Sequence, residues 1–379
     1  RALSEKFGKT LPWGALTGIR PTRLAYAELE QGKPFEPLFR EMGVSRENIS
    51  LVERTLEGQR GIYERKEGNC DLFVSLPFCP TKCAYCSFVT APIAKTRQYL
   101  PDYLKALKAE LQAAQPLIGN LRSVYVGGGT PFALSVEELR EVFEAIAPLR
   151  QSGCEYTVEA GRPDVFTREK LQLCKDYGVT RICINAQSFS DRTLQTIGRS
   201  HTGAQVEEAF ALAAPFGFTV NCDLIAGLTG ESYEEFCRSV KTAISLVPEN
   251  VTVHTLCLKK GAKLKEEVSS LAEGCLAEMI AFSREALSQA GYEPYYLYRQ
   301  KYMAGAHENV GWAKRGFASV YNVDVMEESA DNLAVGANAV SKRIFSGEGR
   351  IERIGSPKDI PTYLNKVEKL IQEKNGLFA

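Results

Sequence analysis

The sequence contains no apolar run near the roughly 20 residues that a membrane span needs, and no repeat or low-complexity tract. Neither sign of charge prevails. The 46 Lys and Arg balance 46 Asp and Glu, which argues against duplex nucleic acid or an anionic membrane face as partner. No charged-then-apolar leader is present, so no secretory signal peptide is expected, and the start at Arg1 instead of Met reads as a missing beginning. A secreted disulfide framework is also excluded, because eleven cysteines is an odd count in a chain of 379 residues. Cys174, Cys183, Cys222, Cys237, Cys257 and Cys275 stand singly in apolar surroundings and read as small buried hydrophobes in a reducing, cytoplasmic setting. What is present is an ordinary globular composition, 44% hydrophobic and 24% charged, with length for two or three domains of about 150 residues.

From residue 71 a strand–helix rhythm begins. Short β-branched segments predict strands at Leu72–Phe78, Ser123–Gly127, Glu155–Ala160, Arg181–Gln187, Thr219–Leu224 and Val251–Leu258. Apolar residues at three- and four-residue spacing predict helices at Tyr99–Leu117, Val136–Leu149, Arg168–Tyr177, Gln205–Phe216 and Tyr233–Val247. Three helix starts carry a capping box, Ser135 with Glu138, Thr202 with Gln205 and Ser232 with Glu235. Such βαβ units require parallel strands. Six units are too few for a closed eight-fold barrel, so either an open doubly wound sheet or a partial barrel satisfies the pattern. Residues 1–68 read as a helical lead-in, 69–260 as the α/β unit and 261–379 as a separate small α+β layer. In that last part a helix is expected over Ser270–Ala290, followed by an aromatic stretch Tyr292–Tyr302. A strand is expected over Ala318–Met326 and a helix start within Leu333–Ile344.

Four cysteines crowd together: Cys70, Cys79, Cys83 and Cys86. The last three form C-x3-C-x2-C directly after the first strand, and three thiolates so placed can ligate three irons of a [4Fe–4S] cluster. The open fourth iron can take the amine and carboxylate of S-adenosylmethionine, and one electron then cleaves the sulfonium to a 5′-deoxyadenosyl radical. Zinc is the alternative and needs a fourth ligand. Cys70 is the candidate, but a fully extended strand puts it about 25 Å away. The run Gly127-Gly128-Gly129-Thr130-Pro131 ends the second strand, and glycines there let backbone approach a ligand closely.

Together the two motifs resemble the radical S-adenosylmethionine superfamily. The segments VSLPFCPTKCAYC, VYVGGGTP, YTVEAGRPD, INAQSFSDRTLQTIGRSH and DLIAGL resemble the oxygen-independent coproporphyrinogen III oxidase family (HemN, HemW, HemZ) over about residues 70–345. WGALTGIRPTRLAY and YLYRQKYMAGAHENVGW are most similar to the HemZ branch, which is normally longer at its N-terminus. The resemblance implies a partial (β/α)6 TIM-like barrel with a helical N-terminal segment and a C-terminal α+β domain capping its mouth. It implies oxidative decarboxylation of coproporphyrinogen III in haem biosynthesis, with a cluster, one or two S-adenosylmethionines and an external reductant. Trafficking of haem, as in the HemW branch, is an alternative, as is a radical methyltransferase or a haem-degrading relative.

Residue by residue, the resemblance implies Cys79, Cys83 and Cys86 on the cluster, with Phe73, Gly128 and Glu159 near the first S-adenosylmethionine. Tyr85, Gly129, Thr130, Gln187, Arg199, Asp223 and Cys257 match positions that hold a second one in the HemN type. Two departures stand out. Phe73 and Ser75 replace the family's common Tyr and His, and Phe88 replaces a fourth Cys, which puts the second cofactor site in question. For a tetra-propionate substrate the expected cations are Arg299, Lys301, Lys314 and Arg315. His307 and Asn309 lie in a segment similar to a HemW motif and are further substrate candidates, whereas His201 and His254 read as structural.

Overall fold

The computed structural model describes residues 11–86, 91–257, 275–300, 303–345 and 348–378. Three helices lead in: α1 (Pro21–Glu30), α2 (Glu36–Glu41) and α3 (Arg46–Gly58). Strand and helix then alternate through β1 (Asn69–Leu76), α4 (Leu100–Ala114), β2 (Asn120–Gly128), α5 (Val136–Ile146), β3 (Glu155–Gly161) and α6 (Arg168–Asp176). The series continues with β4 (Arg181–Gln187), the short α7 (Asp191–Thr196), α8 (Gly203–Ala213), β5 (Thr219–Ala226), α9 (Tyr233–Ser245) and β6 (Asn250–Thr255). All three capping boxes form, each Ser or Thr accepting from the N3 amide while the N3 side chain accepts from the cap amide.

The helices form because each has one apolar stripe to bury. In α5, Leu139, Val142, Phe143 and Ile146 are all buried, the spacing of one helix face. Burying each such side chain contributes about 1.5–3 kcal/mol. The central strand β4 is buried at every position, as a parallel strand covered on both faces must be. The strands β1 to β6 pair parallel and in sequence, so all six end at one rim, that of a partial (β/α)6 barrel.

The C-terminal third is not a separate layer. It supplies α10 (Leu276–Gln289), β7 (Glu293–Tyr298), β8 (Asn309–Ala313), α11 (Val320–Glu327), β9 (Asp331–Val335), β10 (Val340–Phe345) and β11 (Arg350–Gly355). These strands extend the barrel sheet at both edges into one eleven-stranded sheet, β11-β10-β9-β1-β2-β3-β4-β5-β6-β8-β7. Ala318–Met326, expected as a strand, is mostly helix α11, started by Ser319 accepting from the Asn322 amide. Leu333–Ile344, expected to begin a helix, is a β9–β10 hairpin turned at Gly336 and Asn338, both at positive φ. The expected helix start at Ser270 and the residues Phe88 and Lys301 lie outside the described residues.

Helix α11 also does not cap the mouth; it closes the opposite end. Glu155, at the start of β3, accepts from Ser319 Oγ (2.8 Å) and pairs with Arg181 (3.0 Å). Arg181 also donates to Asn250 and to the Phe317 carbonyl, tying the starts of β3, β4 and β6 to the segment before α11. Removing one member of a buried pair leaves the other uncompensated, at a cost of about 3–5 kcal/mol. Arg181→Met should therefore lower the unfolding free energy of the cofactor-free protein, measured by urea titration, by that much, while Arg315→Ala, on the exposed floor-side turn, should shift stability by less than about 0.5 kcal/mol.

Candidate active site

At the carboxyl rim the chain leaves β1 through Pro77 and Phe78 and turns into the three-cysteine loop. The glycine run after β2 makes this loop possible. The Thr130 amide donates to the Phe78 carbonyl at 2.7 Å, and a Cβ at Gly129 would stand 2.5 Å from that oxygen and 2.6 Å from the Leu76 oxygen. Gly128 has φ +91°, a region that side chains rarely adopt. The glycines thus bring backbone against backbone first, and face the cavity second.

That cavity measures about 590 Å³ and is lined by Cys79, Cys83 and Cys86 together with Phe73, Tyr85, Gly128, Gly129, Thr130, Glu159, Gln187, Arg199, Asp223 and Cys257. Every residue expected on the cluster or a cofactor is brought to one space. Thr130 Oγ1 reaches Cys79 Sγ at 3.5 Å. Arg199 donates to the Asn185 carbonyl (2.7 Å) and to Tyr85 Oη (2.9 Å). Burial works against its charge, but Tyr85 and Cys83 outweigh burial and hold it protonated. Gln187 closes β4 at φ +67°, a strained conformation for a residue with a side chain.

Burial and the neighbouring charge of Asp223 push the Glu159 carboxyl up to about 7, against hydrogen bonds from Asn185 and the Gly128 backbone. Asp223 goes the other way. Burial raises it, yet hydrogen bonds from His254, Asn221 and Thr252 hold it below the ordinary carboxylate range.

A four-iron cluster with an adjacent S-adenosylmethionine fits these residues. Three thiols share one wall beside a cation, and Thr157 Oγ1, Asn185 Oδ1, Gln187 Oε1 and Arg199 Nε are buried at the cavity without a protein partner. Such orphaned groups are costly unless a ligand meets them. The zinc alternative loses its fourth ligand, since Cys70 sits beside Leu121 and Asp331 near the start of β1, at the other end of the barrel from the loop. Among the described residues no three His, Cys, Asp or Glu side chains converge on a single-ion position.

The substrate candidates fare worse. Arg299 turns outward, over the Trp13 ring at 5.3 Å, and donates to the Leu16 and Ala306 carbonyls. Lys314 belongs to the floor, its Nζ on the Val247 carbonyl at 3.1 Å, and Arg315 is exposed on the same turn. His307 is half-buried off the cavity. Asn309 does line it, but its amide is spent on Thr255 N (2.8 Å) and the Tyr298 carbonyl (3.4 Å). His254, expected as structural, lines the cavity, whereas His201 is buried behind the rim, where burial and Arg199 push it down to about 4.

Sequence reasoning missed Thr157, Arg181, Cys183, Asn185 and Asn221, although each lies an even number of residues before Glu159, Gln187 or Asp223 on the same strand. Strand side chains alternate, so one cavity residue predicts the next but one. Tyr321 carried no such signal. It arrives from α11 and stacks on Tyr125 at 4.5 Å, with Phe73 at 6.2 Å.

The Radical SAM superfamily profile matches residues 73–243. An oxygen-independent coproporphyrinogen-III oxidase-like protein, HemZ of Bacillus subtilis, is 36% identical over 98% of this chain and 78% of its own length. The chain belongs to the radical SAM family of the HemN, HemW and HemZ proteins. The heme chaperone HemW of Haemophilus influenzae is 29% identical over 80% of this chain and 78% of its own. Coproporphyrinogen III oxidase HemN from Escherichia coli shares the fold, with a TM-score of 0.64 at 20% identity, covering 83% of this chain and 72% of that one. Membership implies a [4Fe–4S] cluster and S-adenosylmethionine.

The raised Glu159 makes a pH prediction for the cofactor-free protein. Below about 4.5, its ordinary value, the carboxyl is protonated folded and unfolded and contributes nothing. Between there and about 7 the unfolded chain gives up its proton first, so stability falls as pH rises. Glu159→Gln should raise the unfolding free energy by about 1–3 kcal/mol at pH 8 and leave it unchanged at pH 4.

Proposed function

We propose that the protein is a radical S-adenosylmethionine oxidoreductase that converts propionates of coproporphyrinogen III to vinyl groups without oxygen, a step of haem biosynthesis. One observation carries this reading: the cysteine loop, the orphaned polar groups and an aromatic face of Phe73, Tyr125 and Tyr321 border a single cavity. The printed names of the HemZ and HemN relatives support the substrate.

When bound, the reduced cluster and S-adenosylmethionine would supply a carbon radical able to take one β-hydrogen atom from a propionate, and loss of CO2 to leave the vinyl group would pass one electron to an external one-electron acceptor. Cys79, Cys83 and Cys86, which line the cavity, would hold three irons of the cluster. Glu159 takes the cofactor's ammonium, giving up its own proton as it does so. Gly128, Gly129 and Thr130 offer backbone close to it, and Arg199 forks onto a carboxylate. Gln187, Tyr85, Asp223 and Cys257 complete the cradle of a second cofactor or of the substrate. An external one-electron reductant would be needed to reduce the cluster. All eleven cysteines are outside disulfides, which suits a reducing, cytoplasmic setting.

The segment that resembles HemW gives no support to haem trafficking here. Glu308 accepts from Trp13 Nε1 at 2.7 Å and from Arg284, so this stretch clasps the N-terminal segment to the barrel.

The test is anaerobic incubation of the reconstituted, reduced protein with coproporphyrinogen III and S-adenosylmethionine. Vinyl products with 5′-deoxyadenosine are expected. Stoichiometric haem binding without turnover supports a chaperone instead, and a methylated or ring-opened product supports the third class; either outcome overturns the proposal.

A further inference from the structure

The cysteine loop is held from three neighbouring turns. Cys79 Sγ meets Thr130 Oγ1 from the turn after β2. The Ala84 amide donates to the Ile197 carbonyl at 3.0 Å, and Tyr85 Oη accepts from Arg199 at 2.9 Å, both from the segment after α7. Between these ties stands Thr81, exposed in the stretch that separates Cys79 from Cys83, and the turn after β3 serves it. Gly161 ends β3 at φ +81°, and Arg162, the next residue, is only 2% exposed and lines the cavity. Its Nη1 donates to Thr81 Oγ1. Its Nε and Nη2 fork onto the Asp164 carboxylate at 2.9 and 2.6 Å, and Nη2 also donates to Ser200 Oγ. Four of the five N–H donors of the guanidinium are thus spent on protein.

We propose that Arg162 is a positioning residue of the metal centre: forked on Asp164, it holds Thr81 and thereby fixes how Cys79 and Cys83 stand to one another. This rests on the cluster proposed for those cysteines. The two parallel bonds to Asp164 set the plane of the guanidinium before the loop meets it. Burial pushes the Asp164 carboxyl up, but Arg162 outweighs burial and holds it below the ordinary carboxylate range. The pair therefore stays ionised and balanced. A lysine ammonium has no such fork, so the arrangement calls for arginine. With four donors committed, Arg162 is better suited to holding the loop than to binding a ligand across the cavity. Groups that orient metal ligands from behind are typically worth about 10–100-fold in metal affinity.

The experiment follows iron release from the reconstituted protein to an iron chelator under anaerobic conditions. Thr81→Val removes the acceptor from an exposed residue and leaves the pair of Arg162 with Asp164 in place. It should speed release about tenfold and leave the urea unfolding of the cofactor-free protein unchanged. Thr81→Ser, which keeps the hydroxyl, should release iron as the wild type does. Arg162→Met should speed release at least as much as Thr81→Val, and combining the two should add nothing further, since both remove one contact. If Arg162→Met does not fold, the two Thr81 variants decide alone. A Thr81→Val protein that keeps its iron as the wild type does overturns the inference. So does a Thr81→Ser protein as labile as Thr81→Val, or a double variant in which the two effects multiply. A wild type that takes up no iron overturns the cluster assignment and this inference with it, whereas equal retention by wild type and Thr81→Val overturns the inference alone.

Discussion

The contact on which the rest depends is the one between the turn after β2 and the backbone leading into the cysteine loop. Thr130 donates to the Phe78 carbonyl, and the absence of a Cβ at Gly129 lets the two chains meet at that distance. This fixes Cys79 next to the Thr130 hydroxyl and sets the loop at the rim where the parallel strands end. Glu159, Gln187 and Asp223 reach the same space because each lies at or near the carboxyl end of its strand. The parallel ladder keeps those ends together. Chemistry at this rim is a property of βα units in general; here two backbone-to-backbone approaches decide where the three-cysteine loop stands within it.

The other end is held by a different kind of force. Arg181, Glu155 and Asn250 bind the segment before α11, and α11 in turn brings Tyr321 up beneath Phe73 and Tyr125. The N-terminal helices are fastened to the same elements. Thr22 and Gln59 donate to Glu327, at 2.7 and 2.8 Å, and Trp13 donates to Glu308. Both carboxylates are buried, so each contact replaces water at a group that cannot stay unpaired. The lead-in and the C-terminal third are thereby parts of the barrel's own wall and floor.

Local signals carried much of this. Capping boxes, apolar periodicity and the C-x3-C-x2-C loop act within a few residues, and the elements they predict formed near the expected bounds. The errors came where distant partners decide. Val320, Val323 and Val325 suggest a strand, yet Ser319 caps a helix there, and the side chains that α11 buries are Val323, Asp324 and Glu327. Strand β9 forms because β1 presents a free edge whose residues lie 261 positions earlier in the chain. The alternation of Arg299 with Tyr298 showed that the two face opposite ways but not which faces the cavity; Trp13, far upstream, settles it. That His254 lines the cavity was hidden for the same reason, because its neighbours Asp223 and Tyr298 come from other strands.

The central claim is that three cysteines hold a four-iron cluster with one iron open to this cavity. Electron paramagnetic resonance of the dithionite-reduced, reconstituted protein, recorded before and after S-adenosylmethionine is added, tests it directly. The account predicts a reduced-cluster signal whose g values move when the cofactor is added, and no such signal from Cys83→Ala. An identical spectrum with and without the cofactor, or a protein that takes up zinc and no iron, would contradict it.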